Sequence, residues 1–203
     1  MRQGVEVVVA SSNPGKLREI AAILAPLPWS VRPQVEFNVK EIPETGLTFV
    51  ENALIKARNA SAGSGLPAIA DDSGLEIDAL GGAPGIRSAR YAGKQASDRD
   101  NLEKLIQEMA GVPWEQRHCR FHCLMLYVRH PQDPTPVIAH GVWEGMLLFE
   151  AQGQNGFGYD PLFHVLAYGC SSAELEPAVK NRISHRAQAL RELVTKLVGT
   201  PRD

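Results

Sequence analysis

The sequence predicts an α/β fold with a mixed sheet. Short apolar runs rich in β-branched residues alternate with stretches whose apolar residues recur at helical spacing. Proline and glycine clusters separate the two kinds of segment. The chain has 203 residues, 44% of them hydrophobic and 22% charged, which suffices for a core without disulfide or metal staples. That length suits one domain, or one domain carrying a small lobe.

Val5 to Ala10 is a short β-branched run and reads as a buried strand. The loop Ser11-Ser12-Asn13-Pro14-Gly15-Lys16 follows, then a helix carrying Leu17, Ile20, Ala21, Ile23 and Leu24, stopped by Pro26 and Pro28. Thr48 and Glu51 have the spacing of a capping box. The helix they open turns Ala53, Leu54, Ala57 and Ala60 inward and presents Asn52, Lys56 and Asn59 on another side. Pro67 to Ala70 is a short apolar strand, expected to end in a turn at Asp71-Asp72-Ser73-Gly74. Residues 81–85 form a glycine-rich loop, and Leu102, Leu105, Ile106 and Met109 mark another helix. Arg120 to Val128 and Pro136 to Leu148 are two strands, and the last helix starts near Ser184.

Composition excludes several classes of function. Lys and Arg number 21 against 23 Asp and Glu, a formal net charge of -2, which argues against a bulk electrostatic grip on nucleic acid. No apolar run reaches the roughly 18 residues of a membrane span. The N-terminus lacks a signal-peptide pattern, and three cysteines make no disulfide framework. A cytoplasmic protein without membrane or nucleic-acid partners is the expectation.

Three loops have chemical potential. At the first, a strand runs into a polar turn and a helix, so unpaired N–H groups, the helix dipole and Lys16 could together bind an anion such as phosphate. It is not a Walker A motif, because Leu17 stands where that motif has Ser or Thr. At the second, the adjacent carboxylates Asp71 and Asp72 need a cation or donors, and Mg²⁺ with substrate phosphates would suit them. Alternation along the strand puts them on opposite faces. At the third, Gly156-Phe157-Gly158-Tyr159-Asp160-Pro161 brackets an aromatic with glycines, so Phe157 could stack on a flat ring and Asp160 accept from its edge. Lys180, His185 and Arg186 precede or open the last helix, where their residue types suit solvated surface. The run His118-Cys119-Arg120-Phe121-His122-Cys123 contains zinc-type ligands, but a strand would send its cysteines and histidines to opposite faces, making buried cysteines the better reading.

Taken together and in order, these segments resemble the inosine/xanthosine triphosphate pyrophosphatase family, the Ham1-like house-cleaning nucleotide hydrolases. The matching runs are Ser11 to Ile20, Thr48 to Ala53, Ala70 to Leu75 with Gly81 to Ile86, Gly156 to Pro161, and Ser184 to Leu190. The resemblance implies an elongated α/β fold, a long mixed sheet with two lobes flanked by helices and a central nucleotide cleft, in a single domain over 1–203. It implies hydrolysis of noncanonical purine (deoxy)nucleoside triphosphates to monophosphate and pyrophosphate, with Mg²⁺, in a homodimer. Carried over, Ser11, Ser12, Asn13, Pro14, Gly15 and Lys16 would form the triphosphate loop. Asp72 would be the metal-associated carboxylate and general base, Glu44 would help hold the metal, and Ser73 and Lys56 would contact substrate. Phe157 would stack on the purine, with Gly158, Tyr159, Asp160, Lys180, His185 and Arg186 around the nucleotide. Donors from His185 and Arg186 facing the 6-oxygen would reject adenine. Two segments depart from the family pattern: Ala151 to Asn155 lacks a Pro-Arg-Gly-like run, and Gly169-Cys170-Ser171 lacks the usual lysine.

Overall fold

The computed structural model describes residues 5–198. Seven strands are hydrogen-bonded in the order β2-β1-β3-β4-β5-β6-β7: β1 (Val5–Val9), β2 (Trp29–Pro33), β3 (Ala68–Ile77), β4 (His118–Val128), β5 (Val137–Leu147), β6 (Phe163–Val165) and β7 (Cys170–Ser171). The helices are α1 (Pro14–Leu24), α2 (Phe49–Ser64), α3 (Asp98–Glu108), α4 (Pro177–Ile183) and α5 (His185–Val198). β1 is parallel to β2 and β3, whereas β6 is antiparallel to β5 and β7, so the sheet is mixed. No helix among the described residues is long and apolar enough to cross a membrane.

The chain divides into two compact units. Among the described residues, the first comprises 5–72, 123–141 and 185–198. Val7, Val8 and Val9 of β1 are buried in succession, and alternation sends them to two different faces. Val7 and Val9 pack with Ile20 and Leu24 of α1 and Leu190 and Leu193 of α5. Val8 and Ala10 pack with Ala53, Ala57 and Ala60 of α2. The α2 capping box is formed: the Thr48 side chain accepts from the Glu51 N–H, and the Glu51 carboxylate accepts from the Thr48 N–H at 2.9 Å.

The second unit comprises residues 73–122 and 142–184. Its core joins Leu75 and Ile77 of β3 to Leu105 of α3, with Phe121, Trp143 and Phe163 clustered at its centre. The Phe163 ring lies 4.7 Å from Phe121 and 4.8 Å from Trp143. Arg117 is buried here, and its guanidinium donates to the carbonyls of Met109, Val112, Leu147 and Leu148. These four bonds supply the hydrogen bonding that burial of a cation demands.

The expected elements form, with differences in β3 and in elements the sequence did not announce; the short strands β6 and β7 are among the latter. β3 does not stop at Ala70 but runs on through Asp71, Asp72, Ser73 and Gly74 to Ile77. Two carboxylates continue a buried strand because cations and amides compensate them there, as described below. β2 and α4 were not anticipated; β2 ends in a proline, compatible with its place at the sheet edge. Along β4, Cys119, Phe121 and Cys123 are buried while His118 is exposed, as alternation requires. Burial pushes the Cys123 thiol up to about 12. Burial of this degree leaves a thiol unreactive.

Candidate functional site

In the first unit the site begins at the N-terminus of α1. Asn13 is its N-cap, and Asn13 Oδ1 accepts from the N–H groups of Gly15 at 2.8 Å and Lys16 at 3.1 Å. The expectation of unpaired donors is therefore corrected: two of them already have a side-chain acceptor, placed by the cap geometry. Ser11 Oγ accepts from the Asn13 N–H, and Ser12 Oγ accepts from the buried Gln34 carboxamide at 3.1 Å. Pro14 is exposed and Gly15 is buried. Lys16 extends from the first turn to Asp71, its Nζ 2.9 Å from Asp71 Oδ2.

Asp71 and Asp72 point to opposite faces of β3 and meet different partners. Asp71 Oδ2 is also 3.2 Å from Arg186 Nη2, and the other Arg186 amino group pairs with Glu19 of α1. Asp72 Oδ1 takes Lys56 Nζ at 2.8 Å, and Asp72 Oδ2 accepts from Asn52 Nδ2 at 3.3 Å. Lys56 Nζ lies equally 2.8 Å from Glu44 Oε1, so one ammonium bridges the two carboxylates. The α2 spacing produces this: Asn52 and Lys56, four residues apart, lie on the same helix side.

These surroundings set the two neighbours apart electrostatically. Burial alone would raise the Asp71 carboxyl, but Lys16, Arg186 and Lys56 outweigh it and hold the group well below the usual carboxylate range. For Asp72 burial wins over Lys56 and Lys16, with Glu44 adding repulsion, and the carboxyl rises. Lys56 is opposed by burial, yet Asp72, Asp71 and Glu44 raise it, so it stays charged. Arg186 is buried but pushed up by Asp71 and Glu19. A permanently ionised carboxylate thus stands next to one shifted toward taking a proton, the pattern by which one fold separates structural from acid–base roles.

The second unit carries a knot around Asp160. Phe157 N–H donates to Asp160 Oδ2 at 2.8 Å, Lys180 Nζ lies 2.6 Å from the same oxygen, and Ser172 Oγ donates to Oδ1 at 3.0 Å. Lys180 Nζ also sits 5.0 Å from the centre of the half-buried Phe157 ring. Gly156 has φ +79, and a Cβ there would fall 2.1 Å from Asp160 Oδ2, so glycine is required for both turn and approach. Gly158 N–H donates to Asp98 Oδ2 at 2.7 Å.

Several placements alter the reading of residues. Asp160 spends both oxygens on protein donors and so organises Phe157 and Lys180, rather than standing open to a ring edge. Tyr159 is a core residue, its hydroxyl donating to the Ser88 carbonyl at 2.9 Å. Lys180, His185 and Arg186 are buried, not solvated surface. Arg186 faces the carboxylates of Glu19 and Asp71, which makes it a partner of the first unit's acidic cluster. Ser73 is half-buried on β3. The two departing segments are joined to each other, with Ser171 Oγ donating to the Gln152 carbonyl at 2.8 Å. Asn52, Glu19 and Ser172 were not anticipated as site residues. The i, i+4 relation of Asn52 to Lys56 and the i, i+3 relation of Glu19 to Lys16 were the available signals.

Residues 7–196 match the profile of the Ham1 family. The chain is 58% identical over 192 residues to a dITP/XTP pyrophosphatase of Vibrio parahaemolyticus, covering 95% of this chain and 96% of that protein. A dITP/XTP pyrophosphatase of Photobacterium profundum is 55% identical, covering 95% and 98%. Among solved structures, a HAM1 protein from Coxiella burnetii superimposes with a TM-score of 0.88 at 49% identity, covering 97% of this chain and all 100% of that one. Sequence and fold agree over nearly the whole length, and the chain belongs to the Ham1 family.

Proposed function

We infer that this chain hydrolyses noncanonical purine nucleoside triphosphates, dITP and XTP among them, to the monophosphate and pyrophosphate. The relatives named dITP/XTP pyrophosphatase support that reaction at more than half identity over almost the full chain. The observation that carries the chemistry is the Lys16–Asp71 and Lys56–Asp72 arrangement on β3. Lys16 and Lys56 neutralise charge developing on the phosphates, and Asp72, held buried and raised, takes the proton of the attacking water. Asp71 stays ionised and holds Lys16 at the phosphate loop. In the second unit Phe157 offers a face for the base, with Lys180 and Asp160 fixing its loop.

The donor set fits a hard divalent cation. Glu44 Oε1 and Asp72 Oδ1 converge on one point, now the Lys56 ammonium, and two carboxylates with substrate phosphates are typical ligands of Mg²⁺. Glu44 and Asp72 would hold it, and the ion when bound would neutralise phosphate charge. The same reading includes a cytoplasmic homodimer, and sedimentation at low micromolar concentration showing monomer alone excludes the dimer.

The test is a substrate panel of dITP, XTP, dATP and dGTP, with and without Mg²⁺, with products identified. The expected products are monophosphate and pyrophosphate, with kcat/KM highest for dITP and XTP. Turnover without that preference keeps the chemistry and removes the assignment to noncanonical bases. Tight binding without pyrophosphate makes the protein a nucleotide sensor. Phe157→Ala is expected to raise KM for dITP by about 5- to 150-fold, the loss of roughly 1–3 kcal/mol of base stacking. An unchanged KM removes Phe157 from the base site.

A further inference from the structure

Asn52 is fully buried within the first unit, and both ends of its carboxamide are committed. Asn52 Oδ1 accepts from the Gly46 N–H at 2.8 Å, and Nδ2 donates to Asp72 Oδ2 at 3.3 Å. A backbone N–H can only donate, so the amide oxygen must face Gly46 and the amide nitrogen must face Asp72. Gly46 lies two residues beyond Glu44, so this one side chain ties the loop bearing one carboxylate to the strand bearing the other. The approach is close: a Cβ on Gly46 would lie 2.8 Å from Asn52 Oδ1 and 2.5 Å from Glu51 Cβ. Lys56, one turn further along α2, bridges the same two carboxylates by charge. Asn52 adds a neutral, directional link beside that bridge.

We propose that Asn52 is a positioning residue of the hydrolytic site, setting the separation of the Glu44 and Asp72 carboxylates and aiming Asp72 Oδ1 at Lys56. The proposal rests on the roles inferred above for Glu44 and Asp72. An aspartate at this position would keep the acceptor for Gly46 but set an oxygen against Asp72. Alanine would remove both bonds and leave the half-buried Gly46 N–H without its acceptor.

The experiment compares wild type with Asn52→Asp, Asn52→Ala and Gly46→Ala. It reads kcat and KM for dITP, the Mg²⁺ concentration for half-maximal rate, and the shift in Tm that Mg²⁺ alone produces. Partners that orient ligating side chains are worth about 10- to 100-fold, so each variant is expected to lose that factor in kcat or in Mg²⁺ requirement while KM for dITP moves little. The Mg²⁺-induced Tm shift is expected to shrink at the same time. Gly46→Ala strains the link from its other end, and a folded Gly46→Ala protein carries the test if both Asn52 variants fail to fold. Wild-type kcat and Mg²⁺ response in folded Asn52→Asp overturn the proposal while the hydrolytic reading stands. Absence of turnover in the wild type overturns both.

Discussion

Asp72→Asn is expected to lower kcat for dITP by about 10²- to 10⁴-fold, the usual worth of a positioned general base. The fold is expected to survive. Asparagine keeps the shape of the side chain, Lys56 retains Glu44 as a partner, and Asn52 retains an oxygen to face. The direction of the stability change follows from the shift. Burial, outweighing Lys56 and Lys16, raises the Asp72 carboxyl above its unfolded value of 3.8, so the native state holds this proton more tightly. Stability from this group is therefore fully present below 3.8 and is lost as pH rises through the folded value. At neutral pH the ionised Asp72 costs stability, and Asp72→Asn is expected to unfold at or above the wild-type temperature. The same shift predicts an acid limb in kcat displaced upward from the ordinary aspartate value. A stable, inactive variant is the signature of a residue kept for chemistry. A variant that loses activity only in proportion to its loss of folded protein contradicts this role.

Asp71→Asn, one residue away, is expected to do the reverse. It removes the shared partner of Lys16 and Arg186, leaving a buried guanidinium with Glu19 alone among these carboxylates. Breaking a buried ion pair from one side costs about 3–5 kcal/mol. For a chain of this size that lowers Tm by about 6–20 °C at roughly 2–4 °C per kcal/mol. Burial opposes ionisation of Asp71, but Lys16, Arg186 and Lys56 prevail, so its folded value lies below the unfolded 3.8. Its contribution is present above 3.8 and is lost as pH falls below that value. Thermal unfolding across acid pH checks this: wild type loses stability steeply in that window, and Asp71→Asn more shallowly. Equal slopes contradict the assignment.

Much of the scaffold was legible because its determinants are local. The capping box at Thr48 and Glu51, the alternation of Cys119, Phe121 and Cys123, and the inward spacing of Ala53, Ala57 and Ala60 each depend on neighbours a few residues away. The misreadings share a different cause. Asp71 and Asp72 read as a turn because their compensating charges come from distant segments; Arg186 is 115 residues from Asp71, and Lys56 is 16 from Asp72. Lys180 and Arg186 read as surface for the same reason, since a buried cation is tolerated only once its carboxylate is in place. The opposite facing of the two aspartates, by contrast, follows from strand periodicity alone. Asn52 escaped notice as a site residue because an amide carries no charge to flag it. Only the fold shows that one side chain meets both Gly46 and Asp72.

In the proposed function two adjacent carboxylates divide the work, Asp71 holding the cluster together and Asp72 serving the reaction. Pyrophosphate release from dITP, normalised to folded protein, by wild type, Asp71→Asn and Asp72→Asn tests it most directly. Asp72→Asn is expected to fall by about 10²-fold or more, while Asp71→Asn retains the larger share of its rate per folded molecule. An Asp72→Asn enzyme with the wild-type rate, or an Asp71→Asn enzyme that is the less active of the two at full stability, would contradict it.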